Sequence, residues 1–326
     1  MKIVYMGDAQ RINRVYGPVQ KARLTELSGE EQEIVSGIGP GLEDVEWIFS
    51  TWGMLTPSEE EIRKYLPRLK AVFYAAGSVH YFARPFLDAG VRVFSAWQAN
   101  AVPVAQFAFA EIILALKGTF RVMGEARTSR EKAKETVSHY PGAYETKIGI
   151  LGCGAVGALL CGMLSDAGFE VWVYDPYVPD EKLSSLGAKR AEMSSIFSEC
   201  DVVSNHLPDL PSTKGLIRRE HLMSMKPYST FINTGRGPQL DETDLFDALQ
   251  TDNTRTALLD VMTDEGRSDE KPLTRLPNCF ITPHIAGSLG NEVRRMADCM
   301  LDAYRMVRAG KKCSSEVTVT MLDTMA

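Results

Sequence analysis

Three glycines within one short segment constrain the fold of this chain more than any other feature. Gly152, Gly154 and Gly157 follow the apolar run at residues 147–151 and open an amphipathic stretch at residues 155–167. A strand, a glycine turn and a helix in this order begin a βαβ unit, and this glycine spacing lets a helix N-terminus approach a pyrophosphate. The segment therefore predicts an α/β domain with a parallel sheet that binds a dinucleotide.

The next predicted strand ends at Asp175, 23 residues after Gly152. An acid at this distance hydrogen-bonds the adenosine ribose in dinucleotide-binding domains, and its charge repels a 2′-phosphate. We therefore expect NAD rather than NADP as the cofactor. Two alternatives stay open: the glycines could form a turn without a ligand, and Asp175 could merely start a turn with Pro176.

Short apolar runs alternate with helical stretches along most of the chain. In the second half, six runs are predicted as strands, at residues 147–151, 171–174, 202–204, 230–233, 257–259 and 280–281. This number of strands is typical of a doubly wound sheet. A helix is predicted at residues 291–309, and the alternating residues 317–319 predict a strand near the end.

Composition narrows the classes of partner. The 36 basic and 42 acidic residues give a net charge of −6, which argues against nucleic acid or an anionic membrane and favours a small molecule. The apolar residues 101–116 are interrupted by Gln106 and Glu111, so we expect a buried helix rather than a membrane span. The N-terminal residues 1–8 are predicted to form a first strand rather than a signal peptide.

The six cysteines show no metal-ligand spacing with one another or with histidine. This pattern predicts a reducing cytoplasm and no metal site.

Three predicted strands end in segments that each offer one ionisable side chain. These side chains are Arg236, Glu265 and His284. An arginine between glycines can bind a carboxylate through two hydrogen bonds, and a histidine beside a carboxylate is an oriented acid or base. For each residue taken alone, a structural role is the better interpretation, so the prediction depends on their combination.

Taken with the glycine segment and in this order, these residues resemble the D-isomer-specific 2-hydroxyacid dehydrogenase family. The resemblance covers nearly the whole chain, and the segments that carry it include residues 206–208, 213–217, 225–227, 233–237 and 283–284. It implies a two-lobed α/β fold in which a Rossmann NAD-binding domain is inserted in a flavodoxin-like substrate domain. The implied boundaries are 1–97 and 288–326 for the substrate domain and 98–287 for the NAD-binding domain. It also implies a homodimer that forms through the helix after Ala101.

The resemblance assigns roles to individual residues. Arg236 would hold the carboxylate and carbonyl oxygen of a 2-oxo acid, His284 would donate or accept the proton, and Glu265 would pair with His284, with Asp264 as a rival for that role. The implied cofactor-binding residues are Gly152, Gly154, Ala155, Val156, Gly157, Asp175, His206, Leu207, Pro208, Thr213, Thr234, Gly235, Arg236, Asp260, His284, Ala286 and Gly287. The implied substrate-binding residues are Trp52, Met54, Ala76, Gly77, Ser78 and Arg236.

The implied activity is hydride transfer between NAD(H) and a 2-oxo or D-2-hydroxy acid. Oxidation of formate or phosphite on the same scaffold is an alternative, as is an NAD(H)-sensing interaction protein of the corepressor kind. If Trp52 and Met54 face the substrate, its side chain should be apolar or small. The roles of Trp52, which could be a core contact, and of His80, beside the substrate loop, are left open.

Overall fold

The computed structural model describes residues 2–323. The chain divides into two compact units, one within Met1–Ala101 and Ser288–Ala326 and the other Val102–Gly287. The second unit is thus inserted in the sequence of the first. Each unit is built on its own sheet of mainly parallel strands.

The first unit contains a six-stranded sheet in the order β13-β5-β4-β3-β1-β2 among the described residues. Its strands are β1 (Lys2–Met6), β2 (Ile34–Val35), β3 (Val45–Ser50), β4 (Ala71–Tyr74), β5 (Arg92–Ser95) and β13 (Glu316–Val317). Its helices are α1 (Ala9–Val15), α2 (Pro18–Ser28), α3 (Glu59–Tyr65), α4 (Ala83–Asp88) and α13 (Val293–Arg308). All pairings are parallel except that of β13 with β5, and the order of the first five strands is the flavodoxin-like one.

Aromatic side chains hold the core of this unit together. Phe49, Phe73 and Phe94 are in register on three neighbouring strands, and successive rings stack at 5.0 Å. Tyr304 of α13 packs edge-on against Phe49 and Phe73. Burial of such rings is a large apolar contribution to stability, and it fastens the C-terminal helix to the N-terminal strands.

The second unit contains a seven-stranded parallel sheet in the order β12-β11-β10-β9-β6-β7-β8. Its strands are β6 (Lys147–Leu151), β7 (Glu170–Tyr174), β8 (Ala188–Arg190), β9 (Val202–Asn205), β10 (Thr230–Asn233), β11 (Thr256–Leu259) and β12 (Cys279–Ile281). Its helices after α5 (Trp97–Leu116) are α6 (Thr119–Glu125), α7 (Arg130–Val137), α8 (Ala155–Asp166), α9 (Asp180–Ser185), α10 (Met193–Glu199), α11 (Arg219–Met223) and α12 (Glu242–Thr251). The order reverses between β6 and β9, which is the Rossmann switch point where dinucleotides bind.

The predicted α/β class and the six predicted strands of the second half are confirmed, with strand ends that differ by about one residue. β8 was not predicted, because two of its three residues are charged. The predicted strand at residues 317–319 is wrong beyond Val317, since Val319 opens the 3₁₀ helix Val319–Asp323.

Helix α5 (Trp97–Leu116) starts in the first unit and continues in the second. By length and composition it could cross a membrane, and it is alone in this among residues 2–323. Ala105, Ala108 and Ile112 bury one face of it in a core of the second unit, as the sequence predicted. Leu114 on another face is 41% exposed, so the helix is buried on one side only.

Candidate functional site

The glycine segment forms an open cradle after β6. Gly152 has a φ of 86°, and a Cβ atom there would lie 2.9 Å from the carbonyl oxygen of His206. At Gly157 a Cβ atom would lie 2.0 Å from the carbonyl oxygen of Gly152, whereas at Gly154 nothing lies within 4 Å. Gly154 is also the N-cap of α8. The loop therefore exposes backbone beside a helix N-terminus, which fits the pyrophosphate of a dinucleotide.

Asp175 braces this cradle from the end of β7. Its Oδ2 accepts a hydrogen bond from the backbone N–H of Cys153 at 2.8 Å. Its Oδ1 accepts from the N–H groups of Tyr177 at 2.9 Å and Val178 at 3.2 Å. All three donors are neutral backbone N–H groups, so none of them brings a positive charge to the place where the adenosine ribose binds in Rossmann domains.

His206 follows β9 on the same edge of the sheet. Its Nε2 lies 2.8 Å from Ser204 Oγ, and its Nδ1 lies 3.0 Å from Thr234 Oγ1. Burial lowers the pKa of His206 to about 3, because the charged form would lose its hydration. The imidazole is therefore neutral at physiological pH, and it links the ends of β9 and β10.

Gln239, which the sequence did not single out, organises the loop that carries Arg236. Its buried Oε1 accepts from the Arg236 backbone N–H at 3.0 Å and from Asn205 Nδ2 at 2.5 Å. Its Nε2 donates to the carbonyl oxygens of Leu207 at 2.7 Å and Pro208 at 2.9 Å. One amide thus ties the loops after β9 and β10 together.

The Arg236 guanidinium makes one internal contact among the described residues, from Nη1 to the carbonyl oxygen of Gly235 at 2.7 Å. It has no carboxylate partner within residues 2–323. Its remaining N–H groups are therefore available for an anionic ligand.

Asp260 fastens the segment that carries His284. The buried carboxylate accepts from Thr282 Oγ1 at 2.6 Å and from the backbone N–H groups of Ile285 at 2.7 Å and Ala286 at 2.9 Å. The carbonyl oxygen of Asp260 also accepts from the His284 N–H at 3.0 Å. His284 has a φ of 54°, an uncommon conformation for this residue type that these bonds maintain.

His284 Nδ1 lies 3.1 Å from Glu265 Oε2, and the two side chains are 48% and 45% exposed. The rival Asp264 has no such contact among the described residues, and its φ is 55°. The imidazole Nε2 is left free to face a substrate, because Nδ1 is turned to the carboxylate. Arg236, Glu265 and His284 follow the adjacent strands β10, β11 and β12 at one edge of the sheet.

The remaining predicted cofactor residues lie in the same unit. Ala155 and Val156 form the first turn of α8, and Gly287 ends the unit. The side chains of Leu207, Thr213, Thr234 and Ala286 are buried. Thr213 Oγ1 donates to the carbonyl oxygen of Pro208 at 2.6 Å and so shapes the loop itself.

The predicted substrate-binding residues belong to the first unit, where they follow β3 and β4. Met54 is 4% exposed and packs in the core. Its burial therefore gives no support to the expectation that the substrate side chain is apolar or small. Trp52 is partly exposed and packs against two core clusters. Ser95 Oγ donates to the carbonyl oxygens of Ala76 at 2.9 Å and Gly77 at 2.6 Å, which fixes the loop that also contains Ser78.

Arg11, on α1, was not predicted. A Cβ atom on Gly53 would lie 3.4 Å from Arg11 Nη1. Burial raises the pKa of Tyr74 and Tyr81, and the charge of Arg11 opposes this shift. The guanidinium has no ion pair within residues 2–323, so a free cation stands at the carboxyl edge of the sheet, where open α/β sheets bind ligands.

Glu111, on α5, is a second group that the sequence did not assign. Its Oε2 is buried without a hydrogen-bond partner among the described residues. Burial, and then the charge of Asp260, raise the pKa of Glu111 to about 8. No group of three or more potential metal ligands occurs in the described part of the chain.

Comparison with known proteins agrees with this geometry. Residues 109–286 match the profile of the D-isomer specific 2-hydroxyacid dehydrogenase, NAD binding domain. The chain is 30% identical to a D-3-phosphoglycerate dehydrogenase of Mycobacterium leprae over 81% of its own length and 50% of that relative. It is 32% identical to a hydroxypyruvate reductase of Blautia hydrogenotrophica over 46% of its length and 47% of that relative. It thus spans about half the length of these curated relatives.

Among solved structures, a D-isomer specific 2-hydroxyacid dehydrogenase from Lactobacillus delbrueckii in its NAD complex has the same fold. The TM-score is 0.75 at 20% identity, and the match covers 97% of this chain and 100% of that one. This confirms the predicted two-domain architecture with a Rossmann domain. Since the family profile matches more than half of the chain, the protein belongs to the D-isomer specific 2-hydroxyacid dehydrogenase family.

Proposed function

We propose that the chain transfers a hydride between NAD(H) and a 2-oxo or D-2-hydroxy acid. The observation that carries this proposal is the 3.1 Å contact between His284 Nδ1 and Glu265 Oε2, which follow β12 and β11. Arg236, whose guanidinium has no carboxylate partner among residues 2–323, follows β10 at the same edge of the sheet. An anion-binding group beside an oriented acid or base is what reduction of a 2-oxo acid requires.

Each residue has a distinct task in this reaction. NADH, when bound, supplies the hydride that reduces the second carbon of the acid, and NAD⁺ accepts it in the reverse direction. Arg236 binds the substrate carboxylate and polarises the carbonyl. As negative charge develops on the carbonyl oxygen, His284 donates a proton to it from Nε2, and Glu265 stabilises the protonated imidazole.

We assign cofactor binding and the grip of Arg236 on the substrate carboxylate to the second unit, and further contacts with the substrate to the loop Ala76 to Ser78 of the first. The charge of Asp175 favours NAD over NADP, since a 2′-phosphate would bring like charges together. We also propose a cytoplasmic location. All six cysteines are free thiols, which is what a reducing compartment favours.

We also propose a homodimer that covers the outer face of α5 and the segment after it. Leu114, Met123 and Tyr144 are exposed by 41%, 60% and 80%, and several exposed apolar side chains in one region are typical of an interface. Light scattering during size exclusion should give twice the mass of 36.1 kDa. A monomer at micromolar concentration would reject the dimer.

The activity is tested with a panel of 2-oxo acids, each supplied with NADH and with NADPH. His284→Gln should lower turnover by about 10²–10⁴-fold, while bound NADH is still detected by nicotinamide fluorescence. Equal turnover of the two proteins would refute the role of His284. Binding of NADH without turnover of any acid would instead favour the NAD(H)-sensing alternative or, if formate or phosphite is consumed with NAD⁺, oxidation of that donor.

A further inference from the structure

Arg190 occupies an unexpected place beside the ribose acid. It ends β8, which is the strand next to β7, and its guanidinium crosses the loop that follows Asp175. Nη1 donates to the carbonyl oxygen of Asp175 and Nη2 to that of Val178. Nε donates to Asp180 Oδ1 at 2.6 Å. One side chain thus connects the backbone of the loop after β7 with the first residue of α9.

These contacts make the loop and the glycine cradle one connected structure. Arg190 binds two carbonyl oxygens of the loop, while the Asp175 carboxylate binds backbone N–H groups on the same loop and on Cys153. The guanidinium therefore contacts the backbone of Asp175, the same residue whose carboxylate would face the adenosine ribose.

The position of Arg190 bears on the choice between NAD and NADP. A nearby arginine is what accommodates the 2′-phosphate of NADP in Rossmann domains. Here the guanidinium is already occupied, by the charged acceptor Asp180 and by two neutral carbonyl oxygens of the loop. The pair is exposed, with side-chain exposures of 36% for Arg190 and 74% for Asp180. Asp180 is the charged acceptor among the three contacts of Arg190, so its replacement by a neutral residue leaves only neutral acceptors to compete with a phosphate for the guanidinium.

We propose that Asp180 holds Arg190 against the loop and thereby sets the discrimination against a 2′-phosphate on the adenosine ribose. Asp180 and Arg190 are positioning residues in this inference, which rests on the proposed function because it assumes that a nicotinamide dinucleotide binds at Asp175. With Asp180 in place, the site presents Asp175 to the ribose. Without it, Arg190 can turn to a phosphate, which carries nearly two negative charges at neutral pH.

The test is direct binding of NADH and NADPH, measured by nicotinamide fluorescence without substrate. Asp180→Asn should tighten NADPH binding relative to NADH by about tenfold, the effect of one charge-assisted hydrogen bond. The double variant Asp180→Asn/Arg190→Gln should return the ratio to that of the wild type, since the gain depends on the guanidinium.

Glu181→Gln is the matched control. It removes the same charge from the same turn of α9, and Glu181 has no hydrogen bond or ion pair to Arg190. It should leave the ratio of the two dissociation constants unchanged. An equal gain in Glu181→Gln, or a gain that persists in the double variant, would show a general charge effect and overturn the inference, as would an unchanged ratio in Asp180→Asn. Failure of the wild type to bind either dinucleotide would instead reject the proposed function.

Discussion

Glu265 and His284 face each other across 3.1 Å, from Oε2 to Nδ1, and both side chains remain nearly half exposed. The carboxylate orients the imidazole through a charge-assisted hydrogen bond, and a neutral amide offers a weaker acceptor. We therefore predict that Glu265→Gln lowers kcat for 2-oxo acid reduction by about tenfold, because the proton donor is held less firmly. Steady-state kinetics at one fixed pH measure the loss.

Asp264→Asn is the natural control for this experiment, since it alters the neighbouring carboxylate and asparagine tolerates a left-handed backbone. Its kcat should match that of the wild type. A loss of kcat in this variant and none in Glu265→Gln would assign the role to Asp264.

The buried carboxylate of Asp260 should matter for both stability and turnover. In Asp260→Asn, an amide N–H₂ group replaces an oxygen that accepts backbone N–H groups, so a donor faces a donor. We expect a loss of roughly 1–3 kcal/mol in the free energy of unfolding, together with a fall in kcat. Denaturant unfolding and steady-state kinetics measure the two effects. Unchanged stability would contradict the hydrogen-bond assignment.

Glu111 predicts a pH dependence of stability. Burial and the charge of Asp260 raise its pKa from 4.5 to about 8, so the folded protein retains a proton that the unfolded chain releases. The contribution to stability is full below pH 4.5 and is lost as the pH rises through 8. Glu111→Gln should therefore be more stable than the wild type at pH 9, on the order of 2–4 kcal/mol, and similar to it near pH 4.5.

Urea unfolding at several pH values between 5 and 9 measures the slope of the free energy of unfolding against pH. Glu131→Gln, an exposed glutamate on α7, should keep the slope of the wild type. Parallel curves for the wild type and Glu111→Gln would show that the carboxyl is not buried as described.

Arg11 predicts a preference among substrates. Its guanidinium lies over Gly53 without an ion pair in the described structure, so it can bind a second negative group on a 2-oxo acid. Arg11→Gln should lower kcat/KM for such acids by about tenfold and leave that for pyruvate nearly unchanged. Arg14→Gln, on the same helix, is the control. Equal losses for pyruvate and for dianionic acids would refute the preference.

The sequence predicted those parts of the fold that local pattern determines. The strand, glycine turn and helix around Gly152 needed no knowledge of the rest of the chain, and apolar strands such as β10 are visible as runs. β8 was missed because Lys189 and Arg190 give it no apolar run. It is a strand because it pairs with β7, and such a tertiary contact is not visible in the local sequence. The role of Gln239 and the burial of Met54 also depend on what surrounds each side chain, which no local pattern contains.

The close approach at Gly157 means that this glycine is required for folding and does not by itself indicate cofactor binding. A Cβ atom there would lie 2.0 Å from the carbonyl oxygen of Gly152, a clash within the protein itself that exists with or without a dinucleotide. A descendant of this chain that had lost its cofactor would still need the third glycine in order to fold. That glycine therefore indicates the ancestry of the sheet. Activity is indicated instead by side chains that folding alone does not require, such as the Arg236 guanidinium, which has no carboxylate partner among residues 2–323.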